Sequence, residues 1–479
     1  MQASIKALTS FIFVSVLTGN LFGISHNLSY SAPSLLPTLK DPPFVRRVIH
    51  SFSERKNYNI KFSGHIHMQS FYDSRQIKGQ YNDLYVLFPL PYEQDDCCGD
   101  IDAASQFSMM AIDTYFIADV FGPKIWEAKV NAKIEGRFVG LGDFSSALLS
   151  LHRGFFTFLW PNTMLLLGYS YHPIDRDRPL GGERLFPNTV SSGNGILFDP
   201  FQYVSQVRLR HKAGDNLEFV FALTKNFESR MARWSVIPDL FFQVSTRVKD
   251  QVFGFGINYH LETPRLVTEV ENNDKTNEQI ASICPNLFAL LRFKKFRAKA
   301  RFLYVENGHA LNLIGSYAVD YFNPNTKERH YINLRALNAW LDMAYAGKRT
   351  EPGMFIGFSK NIGASGDIIK SFQYLVNFCR PLFDLFLGQQ FEQSAGLPPI
   401  VDADYMFILS PRIRLFFGPL VVGAEINYFR AAYSARRVRQ RVREACEDAW
   451  ECDFDSRGRV INAVPVSNMR LLVVTNYYF

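Results

Sequence analysis

An all-β fold, a transmembrane antiparallel β-barrel of about 16 strands (14–18), is the fold class that this sequence predicts. Two observations support it: apolar and polar residues alternate with period two over long stretches, and short turns alternate with long loops. A third is the aromatic content of 15%, with 44 Phe and 22 Tyr. Abundant aromatic residues are typical of the girdles that border the apolar band of a membrane barrel.

The C-terminal residues 467–479 show the alternation clearly. One face is mostly apolar and contains Met469, Leu471, Val473, Thr475, Tyr477 and Phe479. The more polar face contains Asn468, Arg470, Asn476 and Tyr478, with Leu472 and Val474 as exceptions. Because successive side chains of a strand point to opposite faces, this pattern predicts a strand whose two faces meet different surroundings.

Residues 126–138 give the strongest single pattern. Trp126, Ala128, Val130, Ala132, Ile134 and Phe138 alternate with Glu127, Lys129, Asn131, Lys133, Glu135 and Arg137. Five charged side chains on one strand face require water there, whereas the other face is apolar or Gly. A soluble antiparallel sheet can show the same pattern over shorter stretches, so stacked sandwiches remain an alternative.

Turn signals divide the chain regularly. Short turns are predicted at 122–123, 161–162, 214–216, 249–250, 294–295, 347–348 and 418–419. Longer polar segments lie at about 76–105, 141–150, 173–200, 226–238, 262–278, 306–329, 363–401 and 433–465. Seven turns and eight loops join sixteen strands, which predicts short periplasmic turns, long external loops and both termini on the side of the turns.

The N-terminus predicts export. Residues 1–23 have a positive start at Lys6, an apolar core over 8–17 and small residues after it, as in a signal peptide. The Pro-rich segment 24–57 is predicted to be a periplasmic leader, partly disordered or with a short helix. The barrel is predicted to occupy 58–479.

Composition excludes several classes of protein. A net charge of +7 is modest for 479 residues, and without zinc-finger or RNP-like motifs it argues against nucleic-acid binding. Nucleophile-elbow, zinc-protease, Walker and dinucleotide motifs are all missing from the sequence, so neither an enzyme nor a cofactor is predicted. His65 and His67 share a strand face, but solvated lumen histidines explain them better than a metal site.

If the apolar faces point outward, the polar faces line the lumen, with about twelve basic against about eight acidic side chains. The basic set predicted to line the pore is Lys61, Lys129, Lys133, Arg137, Arg208, Arg210, Arg297, Lys299, Arg301, Arg412, Arg414 and Arg470. Two hypotheses follow. These cations favour anions in a narrow aqueous passage, or they pair with carboxylates and stiffen the wall of a general diffusion pore.

Two loops are candidates to narrow the lumen. The segment 173–200 stands third in order and carries a mixed-sign set, namely Asp175, Arg176, Asp177, Arg178, Glu183 and Arg184. The segment 363–401 carries apolar Phe383, Leu385 and Phe386, which favour a packed plug over a solvated loop. The sequence does not rank the two.

Several patches resemble those of a known family. They are 171–173 (YHP), 186–191 (FPNTVS), 206–208 (QVR), 339–342 (AWLD), 357–363 (GFSKNIG), 410–412 (SPR) and 424–428 (AEINY). With them the chain resembles porin-like β-barrels of the Gram-negative outer membrane, nearest to those of Bacteroidetes and more distantly to dicarboxylate-type porins. The latter can carry an N-terminal helix that trimerises. The short, Pro-rich N-terminal segment departs from that pattern, so a homotrimer is left open.

The resemblance implies a passive outer-membrane channel for small hydrophilic solutes. Its expected partners are outer-membrane lipid, lipopolysaccharide and the barrel assembly machinery, with Tyr477 and Phe479 as the assembly signal. The last strand is expected to pair with the strand around Ile60, which would put Arg470 beside Lys61. A surface-exposed structural or adhesin barrel without an open channel is the alternative.

Overall fold

A computed structural model of the protein describes residues 58–479 except 82, 94, 96, 98, 139–148, 176–177, 192–194, 196, 227–229, 269–273, 370–402 and 435–453. The predicted signal peptide and leader fall outside these residues and remain predictions. Within the described residues, no helix is long and apolar enough to cross a membrane.

The regular secondary structure of the described chain is almost entirely strand. The strands are β1 Asn59–Asp73, β2 Ile77–Gln80, β3 Tyr85–Pro89, β4 Gln106–Met110, β5 Thr114–Ile125, β6 Ala128–Phe138, β7 Leu149–Leu159, β8 Thr163–Tyr171, β9 Tyr203–Lys212, β10 Leu217–Lys225, β11 Asp239–Val248, β12 Gln251–Glu262, β13 Ile280–Phe293, β14 Phe296–Glu306, β15 Tyr317–Phe322, β16 Arg329–Tyr345, β17 Thr350–Ala364, β18 Ala403–Phe417, β19 Leu420–Ser434 and β20 Ala463–Tyr478. One short helix, α1 Arg230–Trp234, and two 3-10 turns, Pro179–Gly181 and Gly308–Leu311, accompany them.

Sixteen wall strands close into an antiparallel barrel, as the sequence predicts. The sheet contains 18 strands by hydrogen bonding. The short strand β4 continues the line of β5, and β15 extends the sheet beside β16. The remaining pair, β2 and β3, forms a separate hairpin.

Closure occurs between the first and last strands. His65 pairs with Tyr478 and Asp73 with Arg470, and the register is continuous between these pairs. The backbone N–H and C=O of Phe479 add two hydrogen bonds to Gly64, of 3.1 and 3.0 Å. Closing the sheet gives hydrogen-bond partners to the backbone N–H and C=O groups of both edge strands. Lipid could not hydrogen-bond to these groups.

Six of the seven predicted turns connect consecutive wall strands, but the first is misplaced. Gly122 and Pro123 lie inside β5, where the register with β6 shifts between Phe121 and Lys124. The chain reverses instead at Trp126 and Glu127, which have φ of 50° and 60°. Two successive positive φ values are typical of the tight turn that matches strand twist, and here the geometry overrides the local Gly-Pro signal.

The outer and inner faces alternate along the wall strands. On β20, Met469, Leu471 and Val473 are exposed, whereas Asn468 and Arg470 are buried. On β1, Ile66 and Met68 are exposed, whereas Gln69 and Asp73 are buried. Large apolar side chains therefore cover the outside of the barrel, and polar ones point into it.

Val473→Arg tests whether this outer face meets lipid. Val473 lies about five residues from the short-turn end of β20, or about 13 Å up a tilted strand, near the middle of a 25 Å apolar band. The substitution should lower the free energy of unfolding from lipid vesicles by about 2–4 kcal/mol. Ala463→Arg, at the far end of the same strand, should change it by less than about 1 kcal/mol. Equal tolerance of both would contradict a lipid-facing surface.

Candidate pore interior

The loop between β8 and β9, residues 172–202, folds into the barrel. The backbone N–H of Asn188 donates to Asp342 Oδ2 at 2.6 Å, and that of Val190 donates to Glu425. Lys299 Nζ donates to the carbonyl of Phe186 at 3.2 Å. These partners belong to β14, β16 and β19, so the loop reaches the inner faces of strands distant from its own in the chain.

A buried ion pair fixes the later part of this loop. Asp199 of the loop accepts from Arg301 Nη1 at 2.5 Å and from Trp340 Nε1 at 2.8 Å. The side chains of Arg301 and Asp199 are both 0% exposed. A charge buried to this degree needs an opposite charge, so Asp199 and Arg301 hold each other in place.

The loop between β1 and β4 also enters the barrel, and the sequence pattern did not predict this. Its hairpin, β2 and β3, buries a run of apolar side chains, namely Leu84, Tyr85, Val86, Leu87 and Phe88. Tyr433 donates to the carbonyl of Pro89 at 2.6 Å, and Gln69 to that of Leu84 at 3.1 Å. The segment 76–105 was predicted to be polar and external. The apolar run 84–90 was the signal against that assignment.

The two loops pack on each other and on the inner wall. Leu84–Phe88 of the first loop and Leu197, Phe198 and Phe201 of the third belong to one buried apolar cluster. Its wall members include Trp340 and Phe355. The inner face is therefore partly apolar where loops cover it, because those side chains meet protein and not water.

All twelve cations predicted to line the pore lie on inward-facing positions, but most have partners. Arg137 pairs with Asp113 at 2.5 Å, Lys133 with Asp119 at 2.6 Å and Arg412 with Asp342 at 2.7 Å. Arg208 donates to the carbonyl of Tyr171 at 2.6 Å, and Arg210 donates to that of Arg178 at 2.7 Å. Lys61 and Lys129 are exposed near the short-turn rim.

The ladder of Arg297, Lys299 and Arg301 has acidic neighbours that its own strand does not reveal. Arg297 contacts Glu183 of the third loop at 3.3 Å and also pairs with Glu351 of β17. Arg414 approaches Glu351 as well, at 3.1 Å. The carboxylates come from other strands and from the inserted loop, so no pattern within β14 could have identified them.

Arg470 does not lie beside Lys61, which corrects the prediction. In the register of β1 and β20, Arg470 stands opposite Asp73. In the register of β1 and β5, Lys61 stands opposite Asp119. Arg470 Nη2 contacts Asp73 Oδ2 at 2.7 Å, and Nη1 donates to the carbonyl of Asp83 at 3.0 Å. It therefore joins the closing strands to the first loop.

The predicted constriction residues are only partly described. Asp175 is buried, Arg178 and Arg184 border internal cavities, and Glu183 pairs with Arg292 at 2.7 Å. Arg176 and Asp177 lie outside the described residues. The competing segment 363–401 falls mostly within 370–402, which also lies outside the described residues.

Two cavities lie on either side of the segment 178–184. The first, of about 780 Å³, is bordered by seven basic and two acidic side chains, among them Lys249, Arg292, Arg297 and Glu183. The second, of about 440 Å³, has six basic and two acidic side chains on its border, including Arg153, Arg210 and Lys212. Residues of the short turns, Asp250 and Asn162, border them, so both lie toward the short-turn end.

Glu183 keeps its charge in this setting. Partial burial raises the pKa of its carboxyl, but the hydrogen bond from Arg292 and the charge of Arg297 outweigh that effect. The pKa of Glu183 therefore lies below its ordinary value, and the carboxylate is ionised at neutral pH. Even so, cations outnumber carboxylates around both cavities.

Within the described residues, no group of three or more His, Cys, Asp or Glu side chains is arranged to hold a metal ion. His67 instead contacts Asn476 Oδ1 through Nδ1 at 2.8 Å. Cys97 and Cys284 are free thiols.

The closed wall, the apolar exterior and the charged interior define a transmembrane β-barrel. The Gram-negative outer membrane is accordingly its location.

No protein-family model matches the sequence, and no curated protein matches it. The fold is similar to that of the outer membrane channel DcaP of Acinetobacter baumannii, with a TM-score of 0.58 at 12% identity, over 89% of this chain and 99% of that one. An anion-selective porin from Comamonas acidovorans matches with a TM-score of 0.49 at 7% identity, over 88% of this chain and 100% of that one. OmpT of Vibrio cholerae, an outer membrane protein, matches with a TM-score of 0.48 at 10% identity, over 89% of this chain and 99% of that one.

Arg470→Ala tests the ion pair at the closure of the barrel. It leaves Asp73 buried without its guanidinium partner, which typically costs about 3–5 kcal/mol. Denaturant unfolding of the refolded protein in detergent, followed by Trp fluorescence, measures the loss. The matched control is Arg459→Ala, which breaks an exposed pair with Asp455 and should cost less than about 1 kcal/mol. Equal losses in the two variants would show that the buried pair adds nothing to the stability of the closure.

Proposed function

We propose that this protein is an outer-membrane porin through which small hydrophilic solutes diffuse passively, with a preference for anions. The observation that carries the proposal is the pair of basic cavities inside a closed, lipid-facing barrel. A barrel of 16 strands is wide enough for an aqueous passage. Low-dielectric walls lined by one sign of charge focus the field and raise the local concentration of ions of opposite sign.

We assign the anion preference to the cations that border the cavities, which include only part of the predicted pore-lining set. Arg301, Arg412 and Arg470 are buried against carboxylates, so their charges are largely neutralised. Arg178 and Lys249 border the larger cavity, where basic side chains outnumber carboxylates. We therefore propose a division of roles: paired charges brace the wall, and the cations around the cavities attract anions.

The finer parts of the proposal come from sequence features alone. Tyr477 and Phe479 stand exposed at the short-turn rim, and we propose them as the signal read by the barrel assembly machinery. We also propose, from the sequence resemblance, a homotrimer assembled through barrel walls. A closer relationship to porin-like proteins of Bacteroidetes is proposed from the same resemblance.

A surface-exposed structural or adhesin barrel without an open channel is the second candidate. The observation that favours it is the apolar cluster formed by the first and third loops across the interior. Packed apolar side chains exclude water and ions, so a passage must run beside this cluster or open when it moves.

Planar-bilayer recordings separate the two functions. A porin should give discrete conductance steps that persist at low voltage in 1 M salt, a concentration that screens most surface electrostatics (Debye length about 3 Å). Folded protein that inserts without producing steps would favour the closed barrel. Because Phe198 and Phe355 pack in the cluster, Phe198→Ala should enlarge the steps if the cluster limits flow.

Reversal potential in a salt gradient tests the anion preference. Replacing Arg178, Lys249 and Arg292 together by Gln removes three cations beside the larger cavity and should shift the reversal potential toward the cation-selective side. Arg297 still contacts Glu183 in this variant, so the acid keeps a partner.

The matched control replaces three cations outside both cavities, Lys327, Arg457 and Arg459, by Gln. This variant should keep the selectivity of the unmodified protein. A cation-selective unmodified protein, or equal shifts in the two variants, would overturn the assignment.

A further inference from the structure

Three cations stand on the outer, lipid-facing side of three of the four consecutive wall strands β16–β19. Arg335 of β16, Lys360 of β17 and Arg430 of β19 alternate with buried inward residues such as Ala336, Ser359 and Phe429. Apolar side chains on the same outer faces, including Phe358 and Ile426, are exposed. The cations therefore continue the outward rows of their strands and do not belong to the lumen.

All three cations lie at one level. Each is about ten residues from the short-turn end of its strand, measured from Tyr345 for Arg335, Thr350 for Lys360 and Leu420 for Arg430. At about 3.4 Å per residue and a tilt of about 40°, this is about 26 Å up the wall, the upper edge of a 25 Å apolar band. Arg335, Lys360 and Arg430 form what we call the outer-leaflet row.

The local contacts orient this row and leave part of its charge available. Arg335 donates to the carbonyls of Gly363 and Ala364 at 3.0 and 2.5 Å. Arg430 Nε donates to the hydroxyl of Tyr405 at 3.1 Å. Neither kind of partner neutralises a guanidinium.

Among the described residues, two carboxylates lie near the row. Asp404 contacts Lys360 Nζ at 2.6 Å, and Glu306 stands opposite Arg335 in the register. Three cations against two carboxylates leave the row positive, with the excess at the exposed Arg430.

Cations in this position can bind an anionic partner. A charged side chain on the lipid face is costly within the hydrocarbon and close to neutral at its edge. Lipid phosphates lie at that edge, and a guanidinium can bind a phosphate through two parallel hydrogen bonds. The hydroxyl-bearing rings of Tyr405 and Tyr428 beside Arg430 suit the same interfacial depth.

We propose that the outer-leaflet row binds the phosphorylated headgroup of an outer-leaflet lipid. Arg430 and Arg335 would hold phosphate oxygens, and Lys360 would add a point charge between them. The proposal rests on the membrane placement of the barrel and not on an open channel, so it survives the loss of conductance.

Binding of lipid A to the full-length protein, refolded in a non-ionic detergent, tests the proposal. The probe is bisphosphorylated lipid A, compared with the same lipid after phosphatase treatment. Replacing Arg335, Lys360 and Arg430 together by Gln should weaken binding of the phosphorylated form by on the order of tenfold to a hundredfold. The phosphatase-treated lipid should bind equally weakly to the unmodified protein and to the variant.

Two further variants keep the test decisive. Lys294, Lys295 and Lys348, exposed in the short turns, are replaced together by Gln as a charge-matched control and should leave lipid A binding within about twofold, since an exposed surface charge contributes little. Arg430→Lys keeps the charge but loses the two parallel hydrogen bonds, so it should weaken binding less than the triple Gln variant does, which separates recognition from misfolding.

Equal weakening by the two triple variants would overturn the proposal, as would equal binding of dephosphorylated lipid A. Millimolar inorganic phosphate should not compete. If it displaces the lipid fully, the row is a site for free phosphate and the lipid proposal fails.

Discussion

The constraint on which the rest of this structure depends is the pairing of backbone groups in a medium without water. Every wall strand must hydrogen-bond on both sides, so the sheet has to close. The closing register of β1 and β20 decides which residues meet there, including the buried pair of Asp73 and Arg470. Because side chains alternate with period two, the same register sends apolar groups to the lipid and polar groups inward.

Closure creates an interior that must itself be filled. The first and third loops enter it and bring both apolar and charged side chains. Asp199 of the third loop forms an ion pair with Arg301 of the wall, and the hairpin of β2 and β3 packs against the inner wall. The described interior therefore contains packed loop residues and, toward the short-turn end, basic cavities.

Much of the architecture was predictable because it repeats. Strand alternation and the order of turns and loops recur along the chain, so an error at one place, such as the turn at Gly122, leaves the count of sixteen intact. The inward direction of the pore cations followed from parity alone. Their partners were not predictable, since Glu183 and Glu351 reach Arg297 from a loop and from a strand that is not paired with β14.

By itself the sequence determined the fold class, the strand number and which face of each strand meets lipid. These depend on local periodicity, which each strand carries in its own residues. Tertiary structure alone decided which charges are paired and which line cavities, because a carboxylate can approach a cation from any strand or inserted loop. It also decided where the apolar run 84–90 lies, because only a closed barrel provides an interior in which these side chains can be buried.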